Sequence, residues 1–244
     1  MNWVILFWII MPVLQQTSFK ETQLKHSRVK TAYGEKEAVV KEYFTEKKLS
    51  YQKFQLFIRA FKKEQTLEVW IKEIGKEEFE LIHTYDFCTS SGMLGPKRKE
   101  GDLQIPEGIY HINHFNPQSN FYLSLGLNYP NASDKILSHA TKPGGSIYIH
   151  GNCVTIGCIP ITDDKIKELY VLAVEARTGG QEKIPVHVFP AKLDHGTVEK
   201  LITEHAPNEK IQHFWKNLEP IYQDFESTKK PRTVKVNTKG EYYF

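Results

Sequence analysis

The stretch Ser146-Ile147-Tyr148-Ile149-His150-Gly151-Asn152-Cys153-Val154-Thr155-Ile156-Gly157-Cys158 decides how this chain is read. Its apolar, alternating start predicts a short strand that ends at His150. Eight positions later comes Cys158, directly after a glycine. A thiol is a strong nucleophile only as the thiolate, and a neighbouring imidazole is the usual means of forming one. Gly157 permits a sharp turn before the sulfur and can aim the N–H groups of Gly157 and Cys158 at an oxyanion. No Asp or Glu adjoins His150 in sequence, so the Gly151 carbonyl is the candidate for orienting the imidazole. Cys158 is the expected nucleophile, with a depressed pKa, and His150 the expected proton donor and acceptor.

Cys153 admits three readings. With His150 and Cys158 it would make three zinc ligands, though no fourth follows at convincing spacing. It could pair with Cys158 and switch the thiol off under oxidation. Its simplest role is packing or support of the loop. Thr155 either holds the loop or thiolate through its hydroxyl or stabilises a turn. A lone Cys or His is ordinarily structural. The two together, flanked by Gly151 and Gly157, point to acyl transfer.

Further runs precede this site: Gly95-Pro96-Lys97 with Glu100-Gly101-Asp102, Pro106-Glu107-Gly108-Ile109-Tyr110, Phe121-Tyr122-Leu123-Ser124-Leu125 and Asn128-Tyr129-Pro130-Asn131. Taken in order with His150-Gly151 and Thr155-Ile156-Gly157-Cys158, they resemble the catalytic signature of the L,D-transpeptidases of the YkuD fold. The likeness is greatest to the YafK-type branch, and it covers roughly residues 53–190. Many members of the wider family carry an arginine shortly after the cysteine. Here Ile159-Pro160-Ile161-Thr162 has none.

The resemblance implies an α+β, β-rich fold: a curled, mostly antiparallel β core, sandwich or half-barrel, with flanking helices and a C-terminal helical extension. It implies that a Cys158 thioester forms on a bacterial peptidoglycan stem peptide and passes to an amine, part of wall biogenesis and cell shape. Thr155, Lys97, Arg98, Tyr122, Ser124, Asn128 and Tyr129 become the expected substrate contacts. The partners are stem peptides, with a wall-linked protein as substrate or acceptor. Thioester chemistry calls for no cofactor and no metal. A hydrolase of the same family, an amidase or L,D-carboxypeptidase, is the first alternative; a non-catalytic wall-binding module is the second.

The chain has 244 residues, 25% of them charged and 40% hydrophobic, which is ordinary for a folded domain. A formal charge of +3, with Lys and Arg dispersed, gives no electrostatic footprint for nucleic acid. Residues Val4 to Leu14 are apolar but short for a bilayer span. They predict a signal peptide or short anchor over 1–18, hence export to the periplasm or envelope. The odd count of three cysteines leaves at least one free thiol.

The expected divisions are a helical segment over 19–52, a catalytic domain over 53–190 and an extension packed on the core over 191–244. Arg28 to Lys48 predicts an amphipathic helix interrupted or capped near Gly34. Phe54–Arg59, Leu67–Ile71 and Phe79–Tyr85 predict strands joined by charged hairpin turns. Gly108–Phe115 and Phe121–Leu127 predict two more. Residues 89–107 form a long Gly-, Pro- and Lys-rich loop, expected to be mobile beside the cleft. Thr162 is the expected N-cap of a helix in which Asp163 and Asp164 meet the dipole. A strand is expected to end over Pro185–Pro190, followed by helices over Thr197–Glu204 and Glu209–Glu226. Short extended segments around Val234 and Tyr242 close the chain.

Overall fold

Phe54–Phe61 (β1) is buried at every position but Gln55, the mark of a strand covered on both faces. Leu56, Ile58 and Ala60 face one apolar cluster, which includes Leu169, Tyr170 and Val174. Phe61 joins a second with Phe189, Trp215 and Leu218, and Phe57 a third with Trp70 and Phe225. Each fully buried large side chain of this kind contributes about 1.5–3 kcal/mol. A computed structural model describes residues 17–138, 142–205 and 208–244; residues 1–16 of the expected signal segment lie outside them.

The chain runs α1 (Phe19–Gln23), α2 (Ser27–Glu46), β1, β2 (Thr66–Glu73), β3 (Glu80–Asp86), β4 (Gly108–Asn116), β5 (Ser124–Leu127), α3 (Ala132–Leu137), β6 (Tyr148–His150), β7 (Ile159–Pro160), α4 (Thr162–Thr178), β8 (Ile184–Phe189), α5 (Thr197–His205), α6 (Glu209–Thr228), β9 (Lys235–Val236) and β10 (Tyr242–Tyr243). The first eight strands form one sheet in the order β3-β2-β1-β8-β4-β5-β6-β7, and β9 and β10 form a separate hairpin. Pairing is antiparallel except at β1–β8 and β6–β7. This is the expected α+β class with a curled, mostly antiparallel core.

α4 is buried from Glu168 to Val174 without a break, because α2 covers one side of it and the sheet the other. α2 meets that cluster through Val29, Ala32, Tyr33, Val40 and Phe44, at helical spacing. It passes through Gly34 uninterrupted, so the expected break there is corrected; this packing outweighs the cost of about 1 kcal/mol for a helical glycine. α6 covers the opposite face with Phe214, Trp215, Leu218, Ile221, Tyr222 and Phe225.

Other expectations also shift. α3 was not expected; Asn131 caps it in a reciprocal pair with Asp134. The β5 strand begins only at Ser124, because Tyr122 sits at φ +69°. α4 is counted from Thr162, with Ile161 before it making no side-chain cap; Thr162 sits at φ +74° and its hydroxyl accepts from the Lys165 N–H at 3.5 Å, the capping contact expected of it. Among the described residues no helix is long and apolar enough to cross a membrane.

Candidate active site

β6 and β7 bring the two expected catalytic residues together at one end of the sheet. Their parallel register pairs Ile149 with Ile159 and His150 with Pro160. Side chains alternate along a strand, so Cys158, one residue before Ile159, lies on the His150 side of the pleat. The loop between them can be tight because Gly157 takes φ +133°; a Cβ there would lie 2.8 Å from the Gln104 carbonyl oxygen. Only glycine meets both demands.

His150 is buried, paired across the sheet with Ser124 of β5. Its Nδ1 lies 2.5 Å from the Gly151 carbonyl oxygen. A carbonyl can only accept, so Nδ1 carries the proton and Nε2 of the neutral ring is left without one. The Phe121 ring stacks on the imidazole at 4.5 Å between centroids. Burial pulls the His150 pKa below its ordinary value, against the opposing pull of the Gly151 carbonyl.

Cys158 is the free cysteine of the chain, and its thiol donates to the Ser146 carbonyl at 3.6 Å. Burial pushes its pKa up, opposed by the Tyr148 N–H and the charge of Lys97. The depressed thiol pKa read from sequence is thereby corrected: partial burial of the sulfur outweighs the Tyr148 N–H and the charge of Lys97. Both shifts favour a neutral thiol beside a neutral imidazole.

Cys153 is bonded to Cys88, 65 residues earlier, rather than to Cys158. The bridge ties the exit of β3 to the 151–158 loop. Among the described residues no three His, Cys, Asp or Glu side chains converge on a metal-sized site.

The Thr155 hydroxyl accepts from the Gly157 N–H at 3.1 Å and the Cys158 N–H at 2.8 Å, and donates to the Cys158 carbonyl at 2.8 Å. The N–H groups expected to form an oxyanion hole are therefore occupied. Of the roles open to Thr155, the geometry is that of a loop staple.

Other expected contacts are likewise held inside the fold. Lys97 is buried, its ammonium 2.5 Å from Asp102 and 2.9 Å from the Lys99 carbonyl. Arg98 pairs with Asp134 at 2.8 Å and stacks over Phe214. A carboxylate already meets each cation, and Arg98, still partly exposed, lines a cavity away from Cys158. Asn128 accepts from the His111 N–H at 2.7 Å, which extends the β4–β5 ladder. The Tyr129 hydroxyl donates to the Pro143 carbonyl at 2.9 Å. Tyr122 offers its carbonyl to Arg28 at 2.8 Å, and Ser124 is buried.

Phe121, Gln104 and Asp163 complete the surroundings. The Asp163 Oδ1 accepts from the Asn152 N–H at 2.7 Å. The helix-dipole reading of Asp163 accounts for its position in α4 but not for this bond. A separate cavity of about 470 Å³ opens between α3, α6 and the β9–β10 turn, lined by Ile136, Leu137, Ile211 and Phe214. It includes neither Cys158 nor His150.

A cysteine and a buried histidine on one side of the two strands at one edge of a curled mixed sheet make a candidate thiol–imidazole site. The YkuD family description, an L,D-transpeptidase catalytic domain, matches residues 56–188. The chain is 34% identical over 189 residues to the Escherichia coli K12 protein named "Putative L,D-transpeptidase YafK", covering 77% of this chain and 72% of that one. It therefore belongs to the YkuD L,D-transpeptidase family. Among solved structures, Pgp2 of Campylobacter jejuni, described as a helical cell shape determining protein, is similar with a TM-score of 0.45 and 19% identity, covering 76% of this chain and 74% of that one. Bd1075 of Bdellovibrio bacteriovorus is similar with a TM-score of 0.40 and 25% identity, over 57% and 48% of the two chains.

Proposed function

We propose that this protein is a cysteine acyltransferase acting on peptidoglycan stem peptides, with Cys158 as nucleophile and His150 as the proton carrier. The observation that carries the reading is the placement of a free thiol and a buried, Nδ1-protonated imidazole on one side of the β6–β7 pleat. Because both groups rest neutral, the Cys158 proton moves to His150 Nε2 as the sulfur attacks the carbonyl at the L-centre of the third stem residue. The C–N bond then breaks and the same proton leaves on the departing amine, giving a thioester. An acceptor amine attacks the thioester, gives up a proton through His150 and forms the new amide. The proton returns to sulfur and the thiol is regenerated. Backbone N–H groups serve the oxyanion only after the Thr155 hydroxyl releases those of Gly157 and Cys158, or where the Tyr148 N–H already points at the sulfur.

The envelope is the compartment where this substrate is found, and export there suits a chain with an accessible Cys88–Cys153 bridge. A wall-linked protein bearing the amine, or joined through the bond that breaks, is a substrate of the same chemistry. Mass analysis of stem-peptide fragments incubated with the protein, with and without an added amine, tests the reading. The expected result is an acyl adduct on Cys158 and an amide product that requires the amine. Cys158→Ala should give neither, and turnover by Cys158→Ala would overturn the assignment. Release of free acid alone, whatever amine is added, would make the enzyme a hydrolase.

A further inference from the structure

The carbonyl that holds His150 and the N–H that meets Asp163 belong to one peptide group. The Gly151 oxygen lies 2.5 Å from His150 Nδ1, and the Asn152 nitrogen lies 2.7 Å from Asp163 Oδ1. In a trans peptide the C=O and N–H point in opposite directions across a resonant C–N bond. Bonding at one end therefore polarises the other. An anion accepting from the N–H pushes electron density onto the carbonyl oxygen and makes it a better acceptor for Nδ1–H.

The space around this peptide is closed. A Cβ added at Gly151 would collide with Asp163 Oδ1 and lie 2.9 Å from the Phe121 carbonyl oxygen. The Gly151 N–H donates to the Leu123 carbonyl at 3.2 Å, and the His150 carbonyl accepts from the Ile161 N–H at 2.9 Å. These two bonds hold the His150–Gly151 peptide at both its ends. Only the plane of the Gly151–Asn152 peptide is left for a side chain to set, and Asp163 bonds to it. It lies in the first turn of α4, so the helix start fixes where its side chain can reach.

We infer that Asp163 is a positioning residue for His150, acting through the Gly151–Asn152 peptide. The inference rests on the reading of His150 as the proton carrier for Cys158. Asp163 selects the Nδ1–H tautomer and the ring plane, and so leaves Nε2 facing the thiol. A carboxylate, a peptide and an imidazole thereby do in three links what adjacent side chains do in two.

The test compares the full-length protein with Asp163→Ala, Asp163→Asn and, as a control on the same helix turn, Asp164→Ala. Three readouts are followed: stem-peptide turnover, iodoacetamide labelling of Cys158, and the downfield NMR resonance of the His150 Nδ1–H. Asp163→Ala should lower kcat by about 10–100-fold, the scale seen when an outer partner of a functional histidine is lost, with KM within about twofold. The Nδ1–H resonance should move upfield and labelling should slow. Asp163→Asn keeps an acceptor oxygen and should recover most of the kcat, with a smaller upfield shift. Asp164→Ala should match the wild type.

An Asp163→Ala protein with unchanged kcat and resonance would overturn the inference. So would an equal loss in Asp164→Ala, which would reduce the effect to the helix terminus. Should Asp163→Ala fail to fold, a resonance in Asp163→Asn at the wild-type field would overturn it alone. A wild type that turns over no stem peptide would sink the substrate assignment and leave the resonance and labelling comparisons to decide this one.

Discussion

Two loops converge on Cys158, and they are held by opposite means. The ends of the loop between Gly95 and Ile105 are gripped by one buried ammonium. Lys62 Nζ donates to the carbonyls of Gly95 at 2.7 Å and Ile105 at 2.9 Å and lies 2.9 Å from Glu107. Glu107 in turn accepts from the Gly95 N–H at 2.7 Å and from the Trp215 indole at 2.8 Å. The loop from 151 to 158 has no such core. It is held by the Cys88–Cys153 bridge, by the Thr155 hydroxyl and by Asp163, all at or near the surface. The first loop is part of the fold, and the expectation of a loosely held lid there does not fit its anchored ends. The second can be loosened while the fold remains.

The contrast is broken or sharpened most strongly at Glu107. Glu107→Ala leaves the Lys62 ammonium buried without its carboxylate and removes the acceptor for Gly95 and Trp215. Stability should fall by about 3–5 kcal/mol, read from the urea midpoint. A loss under about 1 kcal/mol would show that this loop is not a core element. Opening the bridge in Cys88→Ala/Cys153→Ala should cost about 2–4 kcal/mol. Hydrogen exchange should then quicken over 151–158 and stay unchanged over 95–105. Equal quickening in both would mean that the loops are coupled.

Thr155→Val keeps the shape of the staple and removes its hydrogen bonds. About 1–2 kcal/mol should be lost, with faster exchange at the amides of Gly157 and Cys158. No change at those two amides would return Thr155 to a packing role. The smallest perturbation is pH alone. The half-buried Cys158 thiol titrates above its ordinary value, so labelling by iodoacetamide should still climb with pH beyond about 8.5. The His150 imidazole, with its pKa lowered, stays neutral below about 6.5, so any acid limb of turnover lies lower still. Labelling that levels off near pH 7 would reveal a standing thiolate–imidazolium pair and contradict the neutral resting site.

The β6 strand was legible because Ile147 and Ile149 alternate with Tyr148 up to His150, and local alternation is what a strand face imposes. The β1–β2–β3 meander was legible for the same reason, its charged turns standing between apolar runs. The parallel β1–β8 pairing was not, since it joins Ile58 to Val186 and no local signal spans that gap. The Cys88–Cys153 bridge escaped for the same reason. α3 hid because Asp134, not Glu, answers Asn131 in its cap. At the site, His150, Gly157 and Cys158 announced themselves by residue type. The partners of Lys97 and Arg98 were not legible, because a cation's partner is decided in three dimensions: here Asp102 and Asp134. The Thr155 hydroxyl could turn to several groups, and only the path of the loop chooses the amides of Gly157 and Cys158.

The family match ends at residue 188, but the physical unit does not. The outer faces of β1 and β8 are covered by α6, whose Trp215 also reaches Glu107. A chain cut after β8 would bare Phe61 and Phe189 to water and leave one oxygen of Glu107 without a donor. The matched segment is therefore not a cassette. Moved into another protein, it would need a replacement surface shaped to the same aromatic face, with an N–H donor at the height of the Trp215 indole.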